Sequence, residues 1–101
     1  MVIYNVTIKV DQAIAVEWLQ WMLDVHIPDV LKTKCFSNFR VVRLLETDDT
    51  EGPTYAIQYE AESKSDYNRY IELHANEMRK RTMDKWGDRF IAFRSLMEVV
   101  K

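Results

Sequence analysis

The sequence is short of most features that announce a specialised class. It holds one cysteine, Cys35, so no intramolecular disulfide can form and the cysteine-rich frameworks of small secreted domains are excluded. Two glycines and two prolines in 101 residues leave no flexible linker and no collagen-like or proline-rich segment. Neither sign of charge dominates: 14 basic against 16 acidic residues give a formal charge of −2, hence no overall positive field to attract nucleic acid or an anionic membrane. No apolar run approaches the length of a bilayer, and the opening MVIYNVTIKV alternates like a strand, so a cytoplasmic location is the expectation. GxSxG, P-loop, GxGxxG and paired-cysteine motifs are also missing, which removes the usual warrants for covalent hydrolysis, nucleotide hydrolysis and thiol redox exchange.

What is present is ample apolar material, 48% of residues with 12% aromatic, enough for one core and therefore for a single domain over residues 1–101. Residues 2–10 put Val2, Tyr4, Val6, Ile8 and Val10 on one face and Ile3, Asn5, Thr7 and Lys9 on the other, the period of a half-buried strand. Asp11 can cap a helix running to about His26, and Pro28 suits the first turn of a short continuation, PDVLKT, after a pause. Residues 36–46 and 54–61 read as strands flanking an acidic loop, TDDTEGP, whose carboxylates are better explained by solvation than by a cation. A second helix begins with Ser63 or Ser65 as cap and ends at Gly87, and residues 88–100 form the last strand.

The order βαββαβ predicts an α+β, ferredoxin-like sandwich: a four-stranded antiparallel sheet with both helices on one face. Ile14, Trp18, Trp21, Met22 and Val25 form the packing stripe of the first helix, while Val16, Leu19 and Leu23 are too apolar for a wholly solvated face. Cys35, with no base evident nearby, reads as a small buried residue. His26, close to a helix C-terminus, should favour its protonated form, and His74 falls within the apolar stripe of the second helix. Both read first as structural histidines and second as proton carriers.

The sheet faces point further. Tyr4, Val6, Ile8, Tyr55, Ile57 and Tyr59 should face the helices, which sends Asn5, Thr7, Gln58 and Glu60 to the other side. In the last strand the more apolar set, Ile91, Phe93, Met97 and Val99, is expected on the helix side, leaving Phe90, Ala92, Arg94 and Leu96 to join Asn5 and Gln58. Such a mixed face predicts a homodimer that pairs its sheets into a dimeric α+β barrel, with Asn5, Gln58 and Arg94 lining a cavity for a small carbonyl- or carboxylate-bearing ligand. RNA is not an expected partner, because the outward positions of TYAIQYEA hold Thr54, Ala56, Gln58 and Glu60 in place of stacking aromatics.

YNVT at 4–7, WxxWM and HIP within 18–28, TYxxQY at 54–59 and FRS at 93–95 together resemble a bacterial domain-of-unknown-function family of similar length. The family pattern usually has a glycine where Lys34 stands and FRT where this chain ends the motif with Ser95. The resemblance implies the dimeric α+β barrel architecture and no established activity. The wider group includes antibiotic-biosynthesis monooxygenases and haem-degrading oxygenases, which combine an asparagine in the first strand with a tryptophan and a histidine on the later helix. Asn5 matches; Tyr70 stands where the tryptophan is expected, His74 lies one turn beyond it, and Arg79 and Lys80 are near the histidine position. No haem or other cofactor is therefore expected. The functional readings are a small-molecule-binding dimer, a small cofactor-free oxygenase or isomerase using His26 or His74, and a structural interaction module.

Overall fold

The alternation of residues 2–10 builds the central strand. In the computed structural model, which covers Met1–Lys101, β1 (Val2–Val10) is flanked on one side by β3 (Thr54–Ala61) and then β2 (Asn38–Arg43), and on the other by β4 (Phe90–Glu98). All neighbours run antiparallel in the order β2-β3-β1-β4. Tyr4 stands opposite Tyr59, Val6 opposite Ile57 and Ile8 opposite Tyr55, so the alternation of β1 and β3 feeds one face, as expected. That face carries the core, where Val2, Tyr4, Val6, Ile8 and Val10 pack against Trp18, Met22, Ile27 and Val30 from the helices.

The first helical stretch differs from expectation at the proline. It begins with Ala15 (α1, Ala15–Trp21), passes through one wide π-helical turn over Met22–His26, and continues as α2 (Ile27–Lys32). Pro28 has no N–H to give to the carbonyl four residues back, and its ring would crowd that carbonyl. The widened turn, in which Ile27 N–H reaches back five residues to the Met22 carbonyl, absorbs the defect without stopping the helix. Asp11 caps only the preceding turn, through Ala13 N–H at 2.9 Å, and its other carboxylate oxygen accepts from Arg89 Nε at 2.9 Å.

The second helix is also divided. α3 (Lys64–Leu73) starts at Ser63, whose hydroxyl accepts from Asp66 N–H at 3.2 Å, and α4 (Ala75–Trp86) ends at Gly87 with φ +62°. Between them His74 leaves helical geometry (φ −128°, ψ −31°), although no glycine or proline marks the break. Cys35 is buried as expected, and its Sγ accepts from Arg69 Nε at 3.4 Å. In the acidic loop Asp49 pairs with Arg43 at 2.9 Å and Asp48 holds Thr50, so both aspartates are engaged within the hairpin.

The last strand corrects the facing predicted for it. Arg94 stands opposite Val6, Ala92 opposite Ile8 and Phe90 opposite Val10, so these three share the helix side with the core residues of β1. Ile91, Phe93 and Met97, opposite Lys9, Thr7 and Ile3, take the outer face. The apolar set is therefore the uncovered one: Phe93 is 70% exposed and Ile91 62%. Apolarity misleads here because β4 is an edge strand whose helix side is only partly roofed.

Candidate functional site

Where the helical layer falls short of β4, it leaves a cavity of about 330 Å³ between helices and sheet. Val6, Ile8 and Ile57 form its floor with Phe90, Ala92 and Arg94 of β4; Met22, His26, Met78, Arg79, Thr82 and Met83 come from the helices, and Tyr4, Tyr59 and Tyr70 complete the lining. A largely apolar space of this size with a few converging polar groups is what small-molecule sites are made of, near the lower end of the range of about 300–1,000 Å³.

His26 reaches the cavity from the wide π-helical turn. Its ring stacks on Trp21 at 5.4 Å between centroids, and Nδ1 lies 3.4 Å from Thr82 Oγ1. Burial pushes its pKa down to about 4; Asp29 works against the shift, while Arg81 and Arg94 reinforce it. The expected protonated histidine is thus a neutral one at pH 7, because loss of hydration outweighs the attraction of a helix end that continues without a break into α2.

The tyrosines form a cluster. Tyr4 lies 6.1 Å from Tyr59 and 5.9 Å from Tyr70, and Arg79 Nη2 donates to Tyr4 Oη at 3.2 Å. Burial raises the pKa values of Tyr59 and Tyr70, so both remain phenols; at Tyr70 neighbouring Tyr4 adds to the rise and Arg79 and Arg94 oppose it. Tyr59 and Tyr70 are only 2% and 4% exposed, and neither hydroxyl is hydrogen-bonded within the protein. The side-chain polar atoms that are both sealed and unpaired are Trp18 Nε1 and Trp86 Nε1. The two phenol oxygens are therefore not sealed, and the space they share is the cavity that both residues line. Neither Arg79 nor Arg94 has a carboxylate partner; the ion pairs of the molecule lie elsewhere.

The residues singled out from the sequence are dispersed by this geometry. Asn5 and Gln58 face each other across β1 and β3, on the outer face, where Asn5 Nδ2 donates to Thr7 Oγ1 at 3.0 Å. Arg94 is on the opposite side of the sheet and cannot share a surface with them. His26 lines the cavity; His74 sits at the junction of α3 and α4, 6.3 Å from the Tyr70 ring, and does not. The sequence places Tyr4 and Tyr59 on the helix side, brings in Tyr70 and Arg79 only through the family resemblance, and offers no cue at Thr82. The available signal was the number of hydroxyls on the helix side, which a dry core would have to satisfy.

Over residues 1–100 the chain matches a family profile described as a domain of unknown function, DUF4286. No curated protein matches its sequence. Among solved structures it is similar to a dimeric ferredoxin-like protein from an uncultured marine organism (TM-score 0.72, 15% identity, 100% of this chain and 96% of that one). It is also similar to a point mutant of SnoaB, a cofactor-independent oxygenase from Streptomyces nogalater (TM-score 0.70, 8% identity, 99% and 94% covered). A third is an ethd-family protein from Bacillus halodurans (TM-score 0.66, 12% identity, 98% and 100% covered). At these identities the likeness establishes the ferredoxin-like α+β fold.

Proposed function

Because the chain belongs to DUF4286, a domain family of unknown function, we propose its role from the cavity itself: it binds a small, mostly apolar molecule bearing a carboxylate or carbonyl oxygen. The observation that carries this reading is the pair of cations without carboxylate partners, Arg79 and Arg94, on a cavity into which the unpaired hydroxyls of Tyr59 and Tyr70 open. An oxygen anion is the natural partner of such cations and hydroxyl donors, and the apolar walls take the rest of the ligand. Asn5 and Gln58, on the other side of the sheet, are assigned to an interface rather than to the ligand.

That interface is the outer sheet face, and the assembly is a homodimer. Ile91 and Phe93 are largely exposed beside Met97, Val42 and the half-buried Ile3, an apolar surface that a second copy would cover. That a protein of the same fold is described as dimeric supports a dimer. A second reading, an enzyme with His26 as proton carrier in the same cavity, is favoured by the neutrality of that residue and by the oxygenase among the similar folds.

Thermal-shift measurements with 2-naphthoate and its neutral counterpart 2-naphthamide test the ligand reading. The carboxylate should stabilise the protein by about 2.7 kcal/mol at a hundredfold excess over Kd. Arg94→Ala should weaken it at least about tenfold, the worth of one charge-assisted hydrogen bond. Equal protection by both compounds, unchanged in Arg94→Ala, refutes the anion site. Light scattering should give twice the chain mass, and Phe93→Glu should give monomer; a wild-type monomer at micromolar concentration refutes the dimer.

A further inference from the structure

The hydrogen-bond arithmetic around His26 goes one step further than the anion site. The Thr82 hydroxyl carries a single hydrogen, which it gives to the Met78 carbonyl at 3.1 Å, the usual back-bond of a threonine inside a helix. Towards His26 Nδ1, 3.4 Å away, Thr82 Oγ1 can therefore only accept. The proton of the neutral imidazole is then on Nδ1, and Nε2 presents a lone pair. Nε2 has no hydrogen-bond partner in the protein and is not one of the sealed, unpaired atoms, so it is open to a ligand in the cavity that His26 lines. Stacking on Trp21 restricts the ring plane, so the acceptor has a defined direction.

Burial keeps the ring neutral, and so an acceptor. Asp29 of α2 favours the imidazolium, but Arg81 of α4 and Arg94 of β4 oppose it. An unprotonated nitrogen in a space otherwise furnished with donors selects for a ligand that also donates. A flat aromatic hydroxyl meets that demand best, being a stronger donor than an aliphatic alcohol on a body that suits walls containing Tyr4, Tyr70 and Phe90.

We propose that Nε2 of His26 is the hydrogen-bond acceptor of the cavity, that Thr82 is the positioning residue fixing its tautomer, and that the ligand is a phenolic aromatic acid or ketone. The ligand half of this inference rests on the cavity being the binding site; the tautomer half does not.

Nitrogen-15 NMR of the imidazoles in the full chain tests the first half without any ligand. The protein has two histidines, and His74→Asn identifies the His26 signals. His26 should show a protonated Nδ1 and a bare Nε2 at pH 7. Thr82→Val should lower the Nδ1–H to Nε2–H ratio about three- to tenfold, the net worth of one hydrogen bond, and Thr82→Ser should restore it. A protonated Nε2 in the wild type, or a ratio unmoved in Thr82→Val, overturns the assignment. The second half is read from Kd values of 6-hydroxy-2-naphthoate and 6-methoxy-2-naphthoate. The phenol should bind about three- to tenfold more tightly, and His26→Phe should abolish the difference. Equal binding of the two in the wild type overturns the acceptor role and leaves the anion site standing; binding of neither overturns both.

Discussion

Acid should destabilise this protein earlier than its carboxylates can explain, because of His26. Its pKa is lowered from 6.5 to about 4 in the folded chain, chiefly by burial, so between these values the unfolded state binds the proton and the folded state does not. Stability therefore rises with pH across this window and falls as pH drops through it. Linkage puts the loss at about 1 kcal/mol by pH 5.5 and about 2–3 kcal/mol by pH 4.5, with almost none at pH 7. These are upper figures, since the ring is half-buried and keeps some hydration. Asp11, Asp48 and Asp49 also have lowered pKa values, each chiefly through hydrogen bonds, to Ala13 N–H, the Thr50 hydroxyl and Arg43 respectively. Their contributions are present above the ordinary carboxylate range and are lost below it, at a lower pH than that of His26. Urea unfolding at pH 7, 5.5 and 4.5 isolates the histidine when wild type is compared with His26→Phe. The midpoint of the wild type should fall at constant m, and that of the variant should stay level down to pH 4.5. Parallel pH profiles for the two proteins would mean that His26 is not held neutral by the fold.

Four further substitutions probe the scaffold. Gly52 has φ +147°, and a Cβ there would lie 1.7 Å from the Val10 carbonyl oxygen, so Gly52→Ala must break the loop contacts Val10 N–H to Pro53 and Gln12 N–H to Glu51. The backbone strain alone is about 1–3 kcal/mol, and chemical denaturation should record at least that; Gly87→Ala, at φ +62° and ψ −131° with open space around it, should lose the strain alone and no loop contacts. Trp18, fully buried and stacked on Tyr55 at 5.7 Å, should cost about 3–5 kcal/mol as Trp18→Ala, a large share of a domain stability of about 5–15 kcal/mol. Val16, 84% exposed on the same helix, should change stability by no more than about 0.5 kcal/mol as Val16→Ala. A large effect at Val16 in a concentration-dependent melt would instead reveal a second covered surface.

The contrast between Trp18 and Val16 was legible in the spacing of the first helix, as were the facing of β1 and β3 and the βαββαβ order. These features follow from period alone, because a central strand and a buried helix stripe each admit one arrangement that hides their apolar residues. Val25, expected in the stripe, is exposed, since the π-helical turn shifts the helical phase just there. Pro28 signalled a defect in the ladder but not whether the chain would stop or widen. The break at His74 had no local cue. Arg94 was recognised as a ligand-binding candidate and assigned to the wrong face, an error of one residue in parity that moved the whole candidate site. In an edge strand both faces are partly uncovered, so the usual inference from apolarity to core no longer chooses between them.

That ambiguity is itself what makes β4 informative. On its helix side the positions opposite Ile8 and Val6 are held by Ala92, too small to fill the layer, and by Arg94, too polar to be sealed in it. The core therefore ends at β1, and the remaining space is the cavity. On its other side Ile91, Phe93 and Met97 carry apolar surface outward with nothing of the chain itself to cover it. The two requirements, an unfilled pocket and an uncovered face, come from alternate residues of one segment. In the FRS motif, parity turns Phe93 to the outer face and Arg94 to the cavity, so two adjacent residues serve both surfaces of the proposed assembly.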